Sequence, residues 1–175
     1  MTAEVEWVLE QFQSVVDAQP DAHPLYRVDR GNSLVYETGE SIDMQAPIHD
    51  RVGELERANY VGVAYTGRSD SPIGTEFDLD SERVVSVRVE GLLRGDHYGH
   101  VDPDGEDGVP FDDDTGLVAD LQDALQAERE WPDVPRSGVT YTHLLLQDYG
   151  PRNHEYADYY RHDWDMIFDG FEELP

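Results

Sequence analysis

The N-terminal segment carries the clearest hydrophobic pattern in the chain. Its apolar residues recur at intervals of three and four, which is the spacing of one face of an amphipathic helix; they are Val5, Val8, Leu9, Phe12, Val15 and Val16. A second helix is predicted at about 115–130, where one stripe contains Leu117, Leu121, Ala124 and Leu125. Prolines follow both segments, and proline ends a helix because it lacks the backbone N–H.

Alternation of apolar and polar residues predicts the strands. In the strongest one, Glu82–Leu92, Val85, Val87 and Val89 share one face, and Ser86, Arg88 and Glu90 share the other. The remaining predicted strands cover 59–66, 138–148 and 156–168, with two short ones at 25–30 and 33–37 that form a hairpin. Turn-forming residues dominate 67–80, which is predicted as a loop.

This order of elements predicts one α+β domain over residues 1–175. We expect a mainly antiparallel sheet with both helices packed on one face. Sequential strands tend to pair, so the last two strands are expected to form a long C-terminal β-hairpin. Residues 95–116 are acidic and rich in glycine, and are predicted to be a loop inserted into this domain.

The charge of the chain changes the picture. The 175 residues include 39 acidic and 12 basic ones, a formal net charge of −27, and every basic residue is arginine. Such a surface repels itself in dilute salt, whereas the Debye length of about 3 Å at 1 M salt removes most of that repulsion. The composition therefore predicts a protein of a salt-rich haloarchaeal cytoplasm. An acidic mimic of DNA is the alternative, but it should concentrate its charge on one face.

Composition also excludes several classes of protein. The chain has no cysteine, which excludes disulfides, thiol nucleophiles and cysteine zinc sites. No apolar run approaches the roughly eighteen residues of a membrane span, and the N-terminus does not resemble a secretory signal. The net charge disfavours binding to nucleic-acid phosphates.

Candidate catalytic and metal-binding residues are sparse. His97 and His100 precede three acids that could join them as metal ligands, but their spacing matches no established zinc motif. An apparent calcium loop beginning at Asp102 fails, because Asp107 and Asp113 stand where an EF-hand needs glycine and glutamate. No P-loop, dinucleotide motif or nucleophile elbow is present. We therefore predict no enzyme activity, no cofactor and no metal site.

The C-terminal region instead favours an interaction surface, because it combines tyrosine with arginine, two residues that are enriched at protein interfaces. The candidate interface residues are Tyr149, Arg152, Tyr156, Tyr159, Arg161 and Asp163. Alternatively, Tyr156 and Tyr160 point into the core beside Trp164. The strand at 156–168 is expected to expose an edge along which a partner adds a strand.

The order of elements resembles that of the tail terminator (tail completion) proteins of tailed viruses. Three segments also resemble small acidic proteins of haloarchaeal viruses and proviruses: Pro72–Asp78, Val87–Gly91 and Tyr159–Asp163. The resemblance implies a non-enzymatic structural protein of the virion, located at the tail and neck and assembled in a haloarchaeal host. It implies a homo-oligomeric, six-fold ring that caps the tail tube and contacts the tail tube protein and a neck or connector protein. It implies no cofactor, no membrane and no sequence-specific nucleic-acid binding.

Two alternatives remain open at this point. Another head–tail connector component, such as an adaptor or stopper, would share the same location and partners. A halophilic metal-binding enzyme that uses the loop around His97 and His100 belongs to a different class.

Overall fold

A computed structural model describes residues 2–18, 25–29, 32–34, 41–43, 59–72, 78–92, 116–151 and 159–173. The described chain is α+β, as predicted, with a mainly antiparallel sheet. Its elements in chain order are α1 (Ala3–Ala18), β1 (Leu25–Asp29), β2 (Asn32–Leu34), β3 (Ser41–Asp43), β4 (Asn59–Pro72), β5 (Asp78–Leu92), α2 (Leu117–Ala127), β6 (Val139–Pro151) and β7 (Tyr159–Glu173). The predicted loop at 95–116 lies almost entirely outside the described residues.

The main sheet has five strands in the order β1-β4-β5-β7-β6. β1 runs parallel to β4, and the other neighbours are antiparallel. The predicted hairpin between 25–30 and 33–37 is therefore wrong, since β1 joins the main sheet while β2 pairs with β3. The turn residues between β1 and β2 misled the prediction, because a turn signal does not reveal which strand comes next in space.

The two long hairpins are more extensive than their hydrophobic patterns indicate. Residues 67–72 and 78–80, predicted as loop, extend β4 and β5 into a ladder that ends at Pro72 opposite Leu79. Polar side chains on both faces hide these strand ends from a periodicity argument. The predicted C-terminal hairpin of β6 and β7 is confirmed.

β7 does not expose an edge. All of its residues from Tyr159 to Glu173 pair with β5, and the other side of the strand pairs with β6. The expected docking edge on this strand is therefore wrong. β7 is an interior strand because β5 pairs with it and not with β6, the next strand in the chain. This pairing joins residues that are distant in sequence, and local sequence does not show it.

Both helices pack against one face of the sheet, which we call the covered face, as predicted. The strand residues that alternate towards the helices form one buried core with the apolar stripes of α1 and α2. Trp164 and Phe168 of β7 meet Phe12 and Trp7 of α1 edge-on, with ring centroids 6.2 and 5.7 Å apart respectively. Such aromatic pairs add to the stabilisation from burial of their area.

One glycine is required by the close approach of β7 to β6. A Cβ built on Gly170 would lie 2.1 Å from the carbonyl oxygen of Thr140 and 2.7 Å from the Cα of Tyr141. The register of β6 shifts just beyond this point, between Tyr141 and His143. The irregularity lets the backbones of the two strands meet where no other residue fits.

Candidate interaction surface

The face of the sheet opposite the helices, the outer face, presents the side chains that alternate away from the core. Val84, Ile167 and Leu145 face one another across β5, β7 and β6 in register. They form an apolar row that ends at the outermost strand, where 51% of Leu145 is exposed. No described helix packs on this face.

Carboxylates flank the apolar row, and each is engaged by a neighbour. Asp165 accepts hydrogen bonds from the hydroxyls of Ser86 and Tyr149, both at 2.6 Å. The hydrogen bond from the Tyr149 hydroxyl to Asp165 is the main reason why the pKa of Tyr149 is raised. Asp169 lies 3.1 Å from the Nε2 atom of His143. The row is thus bordered by acids whose oxygens already have partners.

The exposed large hydrophobic residues of the described chain all lie along the β6 side of the sheet. They are Trp131, Leu145 and Tyr149, with exposed fractions of 65%, 51% and 51%. Leu145 and Tyr149 belong to β6, and Trp131 is held beside it by a 2.9 Å hydrogen bond from its backbone N–H to the carbonyl of Thr142. We call these three side chains, with the outer edge of β6 from Leu144 to Asp148, the β6 edge surface.

Trp131 also has an unusual backbone. Its φ of 53° lies in the left-handed region, where it is the only non-glycine residue among those described. A bulky residue seldom adopts this conformation, and residues that do are concentrated at functional sites. The chain therefore holds a large apolar side chain in water at a conformational cost.

The edge of β6 offers backbone hydrogen bonds as well as side chains. Residues 129–131 cover its first part, where Leu144 N–H donates to the carbonyl of Arg129. In an antiparallel strand, alternate residues direct both backbone groups to the same side. The backbone N–H and C=O groups of Leu146 and Asp148 therefore point away from β7, as those of Leu144 do. Within the described part of the chain, the only bridge to this edge is that of Glu130 with His143.

The structure treats the predicted interface residues differently. Tyr149 lies in the β6 edge surface. Arg161 and Asp163 lie on the outer face one strand inward, on β7, where the guanidinium and carboxylate bind each other at 2.7 Å. Arg152 and Tyr156 lie outside the described residues, and for Tyr159 only the backbone is described.

Sequence reasoning missed Trp131 and Leu145. Trp131 stands beside the proline that follows α2, and Leu145 stands within the unbroken apolar run Leu144–Leu146, so neither residue is marked as exposed by its neighbours. Alternation was the available signal. Successive residues of a strand point to opposite faces, so Leu144 and Leu145 cannot both face the core. In the structure Leu144 is the buried one, at 2% exposure.

Sequence reasoning also missed a cluster of polar residues on the covered face. Glu4 of α1, wholly buried, is bound bidentately by Arg136, with the Nη2–Oε2 distance 2.8 Å, and receives the hydroxyl hydrogen bond of Tyr141 at 2.6 Å. Arg83 donates to Tyr141 at 3.3 Å and to Ser81 at 2.8 Å. We call these five residues the buried polar network.

Hydrogen bonds within the buried polar network shift the pKa values of Glu4 and Tyr141. Burial by itself would raise the pKa of Glu4, but the hydrogen bonds from Arg136 and Tyr141 outweigh it and the pKa is lowered. Burial and the bond to Glu4 raise the pKa of Tyr141. Glu4 is thus held as a carboxylate and Tyr141 as a phenol, with each bond satisfied inside the protein. The cluster fixes α1 to the sheet.

A histidine–carboxylate pair lies at the other end of the covered face. His162 Nε2 is 2.6 Å from Asp148 Oδ1, and its ring packs edge-on against Trp164. Burial would raise the pKa of Asp148, but bonds from the Gly150 N–H and from His162 lower it. The pair connects β6 to β7 next to the β6 edge surface.

Metal and membrane chemistry find no support in the described residues. No group of three or more potential metal ligands is present among them, and His97 and His100 lie outside them. No described helix has the length and apolar character needed to cross a bilayer. A comparison with protein-family models finds no match, and a search of curated protein sequences finds none either.

Proposed function

We propose that the protein is a structural subunit that acts by self-assembly, and that it is the tail terminator of a haloarchaeal tailed virus or provirus. In this role it forms a ring that caps the tail tube and joins it to the neck. The observation that carries the proposal is the collection of Trp131, Leu145 and Tyr149 along one sheet edge of a chain with 29% charged residues.

A strongly charged chain has polar residues to place on its surface, so apolar side chains gathered in one exposed region favour a contact with another protein. Tryptophan and tyrosine are enriched among the residues that dominate interface energies. Molar salt screens the repulsion between two acidic copies to about 3 Å, so apolar contact can then hold them together.

The tail terminator assignment rests on the resemblance of element order. An N-terminal helix, strands, a middle helix and a closing long hairpin are all present in the described chain. A ring of identical subunits requires a heterologous contact, in which one patch meets a different patch on the next copy. Expected partners are further copies of this chain, the tail tube protein and a neck protein.

The first experiment measures the mass of the purified protein in molar KCl by size-exclusion chromatography with light scattering. A ring is expected, with six copies implied by the resemblance. Leu145→Ser and Trp131→Ser should shift the protein towards monomer, whereas Asp123→Ser, an exposed change on α2, should not. A wild-type monomer across concentrations in molar KCl would overturn the proposal, and a stoichiometric metal in that monomer would favour the enzyme alternative.

A second experiment separates the terminator from an adaptor or stopper. The protein is mixed with purified tail tubes of the same virus and viewed by negative-stain electron microscopy. A terminator should cap tube ends, and Leu145→Ser should weaken capping to the extent that it weakens the ring. A ring that leaves tube ends bare but binds the head connector would assign it to the other class.

A further inference from the structure

The two ends of the five-stranded sheet are different strands. Among the described residues, β6 ends the sheet on one side and β1 on the other. A closed two-fold dimer uses the same patch twice, whereas a ring uses two different patches. A sheet that ends in two unlike edges is suited to the second arrangement.

Strand direction at the two edges is also complementary. β1 runs with β4, and the successive antiparallel pairings through β5 and β7 leave β6 running opposite to β1. When a neighbouring copy keeps the same orientation, its β1 therefore arrives antiparallel to β6 of the first copy. Antiparallel pairing is the slightly more stable arrangement per residue.

The lengths of the two edges match. On β6, the stretch left after the bonds to residues 129–131 runs from the carbonyl of Leu144 to Asp148, just before the irregularity that precedes Pro151. It is five residues long, as is β1, Leu25–Asp29. The irregularity and Pro151 limit how far a docked strand can extend, because proline has no N–H to offer.

We propose that β6 of one copy pairs with β1 of the next, so that the sheet continues from subunit to subunit. The inference rests on the proposed function, because it names the contact by which the ring would form. Leu145 and Tyr149 then flank the junction on the outer face.

The absence of cysteine from the chain allows a direct test by disulfide trapping. Gln147→Cys is combined with Tyr26→Cys, Arg27→Cys or Val28→Cys in three double variants, which cover both faces of β1. Cross-strand Cβ atoms lie about 4.5–5.5 Å apart, close enough for a disulfide after small adjustment. The protein is oxidised in molar KCl and analysed by non-reducing gel electrophoresis.

At least one double variant is expected to give a ladder of covalent oligomers extending beyond the dimer, and each single variant should stay monomeric on the gel. Asp123→Cys combined with the same β1 positions is the matched control and should give no ladder. Covalent dimers from Gln147→Cys alone would overturn the inference in favour of a two-fold contact between β6 strands.

Light scattering on the same samples before oxidation separates the two proposals. A ring without any ladder would overturn the β6–β1 contact and leave the proposed function standing. A monomer before oxidation would overturn both proposals.

Discussion

The covered face of the sheet holds the carboxylate of Glu4 with no exposed surface, whereas the outer face holds Asp169 with 31% of its side chain in water. Both acids have a partner within hydrogen-bonding range, so a list of contacts makes them look alike. They differ in what surrounds the pair. Removing Arg136 would leave the charge of Glu4 unpaired in the core, whereas removing His143 would leave the charge of Asp169 in contact with water. The contacts of the covered face therefore serve stability, whereas the described part of the outer face keeps the exposure that the proposed association requires.

The strongest test of this contrast is a change of salt. Transfer from molar KCl to dilute buffer should unfold the protein, because the net charge of −27 is then no longer screened. Near-UV circular dichroism should lose its tertiary signal and recover it when salt is restored. Unchanged dichroism in dilute buffer would show that internal contacts such as the buried polar network are sufficient, and would refute the halophilic interpretation.

Arg136→Leu tests the covered face at its most sensitive point. Glu4 would remain buried without its bidentate partner, and breaking a buried ion pair on one side costs about 3–5 kcal/mol. The free energy of unfolding from urea titrations in molar KCl should fall by that amount. Arg129→Leu, which removes an exposed arginine, should change it by less than about 0.5 kcal/mol. Equal losses in the two variants would contradict the distinction.

Two neighbouring leucines compare the faces within one strand. Leu144 is 2% exposed and Leu145 is 51% exposed. Leu144→Ala should lower the free energy of unfolding by about 2–5 kcal/mol through lost burial and a cavity. Leu145→Ala should leave subunit stability nearly unchanged and weaken association instead. Light scattering beside the unfolding curves checks both, and a stable Leu144→Ala variant would mean that this face is not the core.

Periodicity predicted what depends on near neighbours in sequence. The stripe of α1 and the buried face of β5 follow from spacing alone, since a helix and a strand impose fixed repeats on their apolar residues. The same reasoning could have placed Glu4, which lies four residues before Val8 on that stripe. It could also have placed Arg83, which alternates with Val85. What spacing does not show is how a charge at these positions is compensated, because the partners of Glu4 and Arg83 include residues distant in sequence, Arg136 and Tyr141.

Pairing between distant strands was beyond local reasoning. The place of β1 beside β4 depends on residues more than thirty positions apart, and no turn signal marks it. The exposed edge was assigned to β7 because its pattern is long and regular. Which strand is outermost depends on the whole sheet order, and that order put β6 at the edge.

Lowering the pH tests the contribution of the buried Glu4 carboxylate, because acid protonates it. The folded-state pKa of Glu4 is lowered from 4.5, so its contribution to stability is fully present above that value and is lost as pH falls through the folded pKa. In Glu4→Gln this part of the decline should disappear, leaving a shallower slope of unfolding free energy below pH 4.5. Glu10→Gln, an exposed change on the same helix, should keep the wild-type slope. Urea titrations across the acid range at constant salt measure the difference.

The smallest effect is expected from Asp169→Asn on the outer face. Its partner His143 is 45% exposed, and even a fully charged exposed pair contributes only about 0–1 kcal/mol. The free energy of unfolding should therefore change by less than about 1 kcal/mol. The same variant should alter assembly more than stability if the outer face forms a subunit contact, because association removes the water that screens the pair. A loss as large as that of Arg136→Leu would mean that the outer face is a second core, and the contrast between the two faces would fail.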